Sequence, residues 1–400
     1  MNAEEIKNEE SLKAWLNARP EATRQSAAIA IAQRSAARVF PVFGRGMGES
    51  WVLRANLTAL SVVRQLLSPG ASRKSPTPEV KRAAAAAYTA DGVPYVSNDN
   101  AALVPFAAAR TAADRVAYAA YAANAASIDA STYAARVVDT SAAASVYAAR
   151  AAALIGETNG HAVWAQIRRD AGQLGCGEEP FTTPLWSTPP PDWLTQADAE
   201  TRAIWANDPP GTWDFWTRWW DGVLTGQQLP WELQKDVALI PDAIWKQGPA
   251  AVAAEIARIE EIHDLRQQAT MLKEQLAEAL AVSASATTGH RAHNHPPELV
   301  DAPAEIRESL TIIWADLDAA EKELARSAPS GARLQRIGRA LRTSVSVVLA
   351  YCGKSVDNFT QSAIKAAGGV AGVALFAYLL ANIGTFAEAL LKLAAKLVGG

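Results

Sequence analysis

Apolar residues recur every three or four positions along most of this chain, the spacing that places them on one face of an α-helix. Leu12, Trp15 and Leu16 mark a first helical face, and Pro20 stands where it can open the next helix. That helix runs through Ala27, Ile29, Ile31 and Ala36 to Phe40. Val52 to Leu67 predicts a further amphipathic helix, ended by Ser68-Pro69-Gly70, with a polar loop to Pro78. Between Ala83 and Ala153, 31 of 71 residues are alanine. Alanine is the best helix former and its small side chain lets helix backbones approach closely. Asp91-Gly92-Val93-Pro94 and Ser127-Ile128-Asp129 divide this run into about three helices, and residues 160–173 predict one more.

The texture then changes. Gly175-Cys176-Gly177 and the proline-rich run Pro180 to Pro191 predict a long irregular connection. Nine of the thirteen tryptophans fall between Trp186 and Trp245. Trp213, Trp216, Trp219 and Trp220 share one helical face, behind the turn Asp208-Pro209-Pro210-Gly211-Thr212. Such a face serves either as bulky core beside an alanine-rich neighbour or as an interaction surface. Leu229 to Pro241 and Trp245 to Pro249 read as short helices joined by Pro and Gly turns.

Val252 to Leu280 predicts a long polar helix. Ile262, Leu265, Ala269, Leu272, Leu276 and Ala279 alternate by three and four, a short heptad stripe. It suits a helix docked on its own protein as well as an intermolecular coiled coil. Residues 282–304 lose the periodicity and form a Ser/Thr/Pro/His linker. Ile306, Leu310, Ile313, Leu317 and Leu324, then Leu334, Ile337, Leu341, Val345 and Val348, predict a helical hairpin turning at Ala328-Pro329-Ser330-Gly331. Val356 to Lys365 predicts a further short helix. The chain then runs uncharged from Ala366 to Ala387, 22 residues, enough to span a bilayer as a helix. Val370, Val373, Leu375, Phe376, Leu379, Leu380 and Ile383 are its candidate membrane-facing residues. Gly368 and Gly372 give a small-xxx-small pair. The remainder to Gly400 is a basic amphipathic tip suited to an interface.

The predicted architecture is all-α. An Ala-rich helical domain covers 1–173 and a Trp-rich region with a long amphipathic helix covers 174–281. The flexible His/Pro linker 282–304, the hairpin module 305–365 and the hydrophobic segment 366–400 follow.

Composition adjusts this picture little. Half the residues are apolar, and a formal charge of -3 gives no pull toward nucleic acid. Basic residues are scattered rather than striped, so a nucleic-acid partner is not expected. Two distant cysteines, Cys176 and Cys352, fit a reducing cytosol. The opening Met1-Asn2-Ala3-Glu4-Glu5 has no basic n-region, so a secretory signal peptide is not expected either. Gly44 to Gly48 is Gly-rich but follows a helical pattern, without the strand that a phosphate-binding loop needs.

Three of the five histidines, His290, His293 and His295, cluster with Glu298 between a Ser/Ala-rich run and Pro296-Pro297. Their side chains are ligand-capable. A catalytic metal normally sits on rigid elements with an ordered outer shell, so a linker or docking segment fits this setting better. No GxSxG, P-loop or HExxH motif occurs, and neither catalytic residues nor a cofactor are assigned.

At Ala292-His-Asn-His-Pro-Pro-Glu298 the chain resembles a group of uncharacterised modular bacterial proteins. In these a Gly-His-Asn-His-Pro-Pro-Glu segment precedes a helical C-terminal module. Residues 305–368 are similar to that module, with Trp314 and Tyr351-Cys-Gly-Lys-Ser-Val-Asp357. The Trp213–Trp220 segment, Leu239 to Asp242 and Trp245 to Pro249 resemble a recurring unit of the same proteins. Ala292 replaces the usual glycine. The resemblance covers about half the chain and implies a modular bacterial protein, with no activity or site residues attached.

The functional expectation is a non-enzymatic protein with a cytosolic body. Its tail anchors in or perturbs the bacterial inner membrane, in the setting of stress or phage defence. A soluble helical scaffold that binds a protein partner or itself is the second expectation. A metal-dependent enzyme using the linker histidines is the third.

Overall fold

The computed structural model describes residues 2–44, 59–90, 134–187, 189–284, 304–354 and 370–399. Among them, fifteen α-helices and two short 3-10 turns account for the regular structure, with no strand. The chain forms two compact units, Met1–Ala257 and Arg258–Gly400.

The first unit holds α1 (Glu9–Asn17), α2 (Glu21–Ala37), α3 (Phe40–Gly44), α4 (Ala59–Lys74), α5 (Pro78–Ala90), α6 (Ala134–Ile155) and α7 (Glu157–Gly175). It continues with α8 (Asp192–Trp205), α9 (Asp214–Thr225), α10 (Trp231–Ala238), α11 (Asp242–Trp245) and the start of α12 (Pro249–Ala284). The described parts of the Ala-rich and Trp-rich stretches both fall within the first unit. Local chemistry starts these helices. Asn8 caps α1 by accepting from the Ser11 amide at 3.0 Å, while the Ser11 hydroxyl accepts from the Asn8 amide. Proline stands immediately before α2, α8, α10 and α11, where its missing N–H costs nothing.

At one point tertiary packing overrules the local signal. Ser68-Pro69-Gly70 does not stop α4, which continues to Lys74. Every residue from Ala59 to Ser72 is buried. The Gln33 side chain of α2 donates to the Leu66 carbonyl at 2.9 Å, one turn before the break. A Cβ at Gly70 would lie 2.8 Å from the Gln33 amide nitrogen and 2.9 Å from the Trp231 ring, so only glycine admits this contact. Burial of the whole segment outweighs the ~3 kcal/mol that a helix-interior proline costs.

Alanine acts as expected between α2 and α6. Their backbones come close enough for Ser141 to donate to the Ala28 carbonyl at 2.7 Å, with the Ser35 and Ser145 hydroxyls 3.1 Å apart.

The second unit joins the rest of α12 to α13 (Ala304–Leu324), α14 (Gly331–Lys354) and α15 (Val370–Gly399). The heptad stripe of α12, the two hairpin stripes and the tail helix supply one shared apolar core. The hairpin turn is closed by Glu323, which accepts from the Ser330 amide at 2.7 Å and pairs with Arg326 and Arg333. Burial tends to raise the Glu323 carboxyl, but that amide and the two guanidinium groups hold it below its usual range. The short helix expected over Val356 to Lys365 and the glycine pair Gly368 and Gly372 lie outside the described residues.

Candidate functional site

Trp213, Trp216, Trp219 and Trp220, expected as core or as an interaction surface, are all buried. Three are held by directional bonds as well as by packing. The Trp213 indole donates to Asp208 at 2.6 Å, Trp219 to Gln234 at 3.0 Å and Trp220 to Asp198 at 2.8 Å. Trp213 stacks on Trp205 with ring centroids 4.9 Å apart, and Phe40 meets Trp220 edge-on at 5.0 Å. A buried indole usually finds a partner for its N–H, and for these three α8, α10 and the turn after α8 supply it. Gly226 ends α9 in the left-handed conformation, with φ of +77°. A Cβ there would stand 2.4 Å from the Thr183 carbonyl carbon, so glycine lets α9 seat against the proline-rich connection.

Beneath that connection lies a charged cluster. Arg34 of α2 and Arg38, the residue that caps its C-terminus one turn later, both reach Asp170 of α7, at 3.0 and 2.7 Å. All three side chains are at most 2% exposed. Two guanidinium groups face one carboxylate, which leaves the cluster net positive, and backbone carbonyls accept from several of the remaining N–H groups. Arg34 donates to Pro180, Thr183 and Pro184, and Arg38 to Leu185. Burial pulls the Arg38 guanidinium down to about 10, against the opposing pull of Asp170, so it stays charged at neutral pH. The cluster clamps residues 180–185 onto α2 and α7. The adjoining cavity, bordered by Gln33, Arg34, Phe181 and Trp219, is about 10 Å³. That is room for one water molecule rather than for a substrate. Sequence reasoning missed the clamp. Its one legible sign is a pair of arginines, one turn apart, at the end of the Ala/Ile run of α2.

The tail gives the second unit its distinctive chemistry. Within α15, Ala377–Val398 is long and apolar enough to cross a membrane, with mean hydropathy 1.2. Unlike the uncharged run read from the sequence, this span includes Glu388, Lys392 and Lys396. Of the candidate membrane residues, Leu379, Leu380 and Ile383 are buried in the second unit's core. Val370, Val373, Leu375 and Phe376 belong to α15, but their side chains lie outside those described. Phe386, Leu390 and Leu393 continue the buried stripe. Thr385, Glu388, Lys392 and Lys396 line the opposite, exposed face. Glu388 meets Arg342 at 3.4 Å, and Lys396 meets Glu261 at 2.8 Å. In the same unit, Asp316 of α13 is half-buried, and burial lifts its carboxyl to about 6.

The linker residues His290, His293, His295 and Glu298 lie outside the described residues. Among the described residues, no group of three or more His, Cys, Asp or Glu side chains is placed to hold a metal ion. No family model, curated protein or solved structure matches this chain.

Proposed function

We propose that this chain is a non-enzymatic helical protein that acts by contact, through its second unit and chiefly through α15, with the bacterial inner membrane as the surface engaged. The observation that supports this is the coincidence of two features. The described span apolar enough for a bilayer is Ala377–Val398. Of the seven exposed large hydrophobic side chains among the described residues, six (Met271, Ile312, Val347, Leu349, Tyr378 and Val398) belong to the same unit. As a straight helix, 22 residues reach about 33 Å, close to the ~30 Å of a hydrocarbon core. Glu388, however, stands near the middle of the span, where a charged side chain costs roughly 2.5–3.5 kcal/mol. A helix lying in the interface, apolar stripe down and charged stripe up, avoids that cost. Engagement of this kind suits a stress- or phage-defence effector that perturbs its own membrane.

A second reading has its own support. A core helix of a soluble domain has the same length and composition, and α15 packs as one in the second unit. The protein is then a helical scaffold whose exposed apolar side chains meet a protein partner, and the heptad stripe of α12 belongs to its own domain rather than to an intermolecular coiled coil.

Flotation of the full-length chain with phosphatidylethanolamine/phosphatidylglycerol vesicles separates the two. The membrane reading expects the chain to float with the vesicles, and a form ending at Lys365 to stay behind. A full-length chain that never floats, with a truncated form that loses helicity in α12 to α14, overturns the membrane reading in favour of the scaffold.

A further inference from the structure

We infer that the second unit is a sheath for α15: the stripe that engages the bilayer is the stripe now buried, so engagement requires α15 to separate from α14. This rests on the membrane reading above.

The helix has only one apolar face broad enough for the task. Leu380, Ile383, Phe386, Leu390 and Leu393 form it, each at most 1% exposed. The opposite face carries Thr385, Glu388, Lys392 and Lys396. One stripe cannot face both its neighbouring helices and acyl chains.

What holds the stripe in place is suited to exchange. Among the described residues, the side-chain hydrogen bonds and ion pairs that α15 makes to other helices are Arg342–Glu388 and Lys396–Glu261. Both have exposed partners, and such pairs contribute about 0–1 kcal/mol each. The remaining attraction is apolar burial, which has no direction and which a bilayer interior can replace. Separation therefore strands no described buried polar side chain of α15. The seam itself is close. A Cβ at Gly338 of α14 would lie 2.9 Å from Leu391 Cγ and 3.2 Å from the Ala387 carbonyl.

A reversible bolt tests the sheath. A Cβ at Gly384 would lie 3.8 Å from Val345 Cγ1, so Val345→Cys with Gly384→Cys sets two thiols facing each other across the seam for oxidative cross-linking. The full-length chain carries this pair together with Cys176→Ser and Cys352→Ser, and flotation with phosphatidylethanolamine/phosphatidylglycerol vesicles is measured oxidised and reduced. The sheath expects the reduced chain to float and the oxidised chain to lose about tenfold or more of its partitioning, the ratio that ~1.4 kcal/mol gives. Equal flotation in both states overturns the sheath and leaves the membrane reading standing. Failure of the reduced chain and of the parent to float overturns the membrane reading and the sheath with it.

Gly338→Leu gives an independent test should the double-cysteine chain fail to fold. A side chain forced into the seam is expected to raise flotation about tenfold, since overpacking costs about 1–3 kcal/mol. A variant whose melting temperature falls while its flotation stays unchanged also overturns the sheath.

Discussion

The two units of this chain solve the same packing problem with different materials. Sixteen polar or charged side chains are buried in the first unit among the described residues, against three in the second. The first core is a set of directional contacts: indoles donating to Asp198, Asp208 and Gln234, and arginines spread over Asp170 and a row of carbonyls. The second core is Leu, Ile, Val, Ala and one Phe, with its ion pairs at the rim. Removing one partner from a directional core leaves the other buried without a bond, so such a core tolerates substitution poorly. An apolar core loses only its burial, and another apolar medium restores that. The difference makes the first unit the less tolerant of substitution, and the apolar second unit is the one the proposed sheath would open.

The largest test of this contrast is Asp170→Asn. It leaves two buried guanidinium groups without their carboxylate, so the first unit is expected to lose about 3–5 kcal/mol. Hydrogen exchange resolved by peptide is the measurement. Faster exchange across α2, α7 and residues 180–185, with α13 to α15 unchanged, is the expected outcome. Uniform loss of protection through both units breaks the comparison.

A smaller effect sharpens it. Trp219→Phe removes the donor to Gln234 and is expected to cost about 1–3 kcal/mol. Leu390→Met, a conservative change in the second core, is expected to cost less than about 1.5 kcal/mol. Denaturant melts rank the two, and a costlier Leu390→Met denies that the second core is the more forgiving.

The smallest test is one of pH. Burial raises the Asp316 carboxyl to about 6, so above that pH the folded second unit carries the cost of a desolvated carboxylate. As pH falls from 6 toward 4 the folded state takes up the proton first, and the cost disappears. Glu323 runs the other way. Its depressed carboxyl stabilises the hairpin above the ordinary Glu range, and that contribution is lost as pH falls through its lowered value. Asp316→Asn is thus expected to raise the melting temperature at pH 7.5 and to leave it unchanged near pH 4. Equal shifts at both values rule out Asp316 as the titrating group.

Helix after helix was legible in the sequence, because a period of 3.6 residues and proline-marked starts are local properties. The stripes at Leu265, Ala269 and Leu272, at Ile313 and Leu317, and at Leu334, Leu341 and Val345 are the stripes the second core uses. The reach of α4 past Pro69 was not legible, since it depends on Gln33 and Trp231, far away in the chain. Nor was the clamp: Asp170 is 136 positions from Arg34, and no local pattern joins them. The tail shows the limit most clearly. Its sequence determined a long apolar helix with charges on one side, as suited to a bilayer as to a protein core. Only the tertiary structure decided that this helix packs on α14 and shares one apolar core with α12 and α13. Hydrophobicity sets how strongly a stripe is driven from water, while the surface that receives it is set by which partners the fold brings within reach.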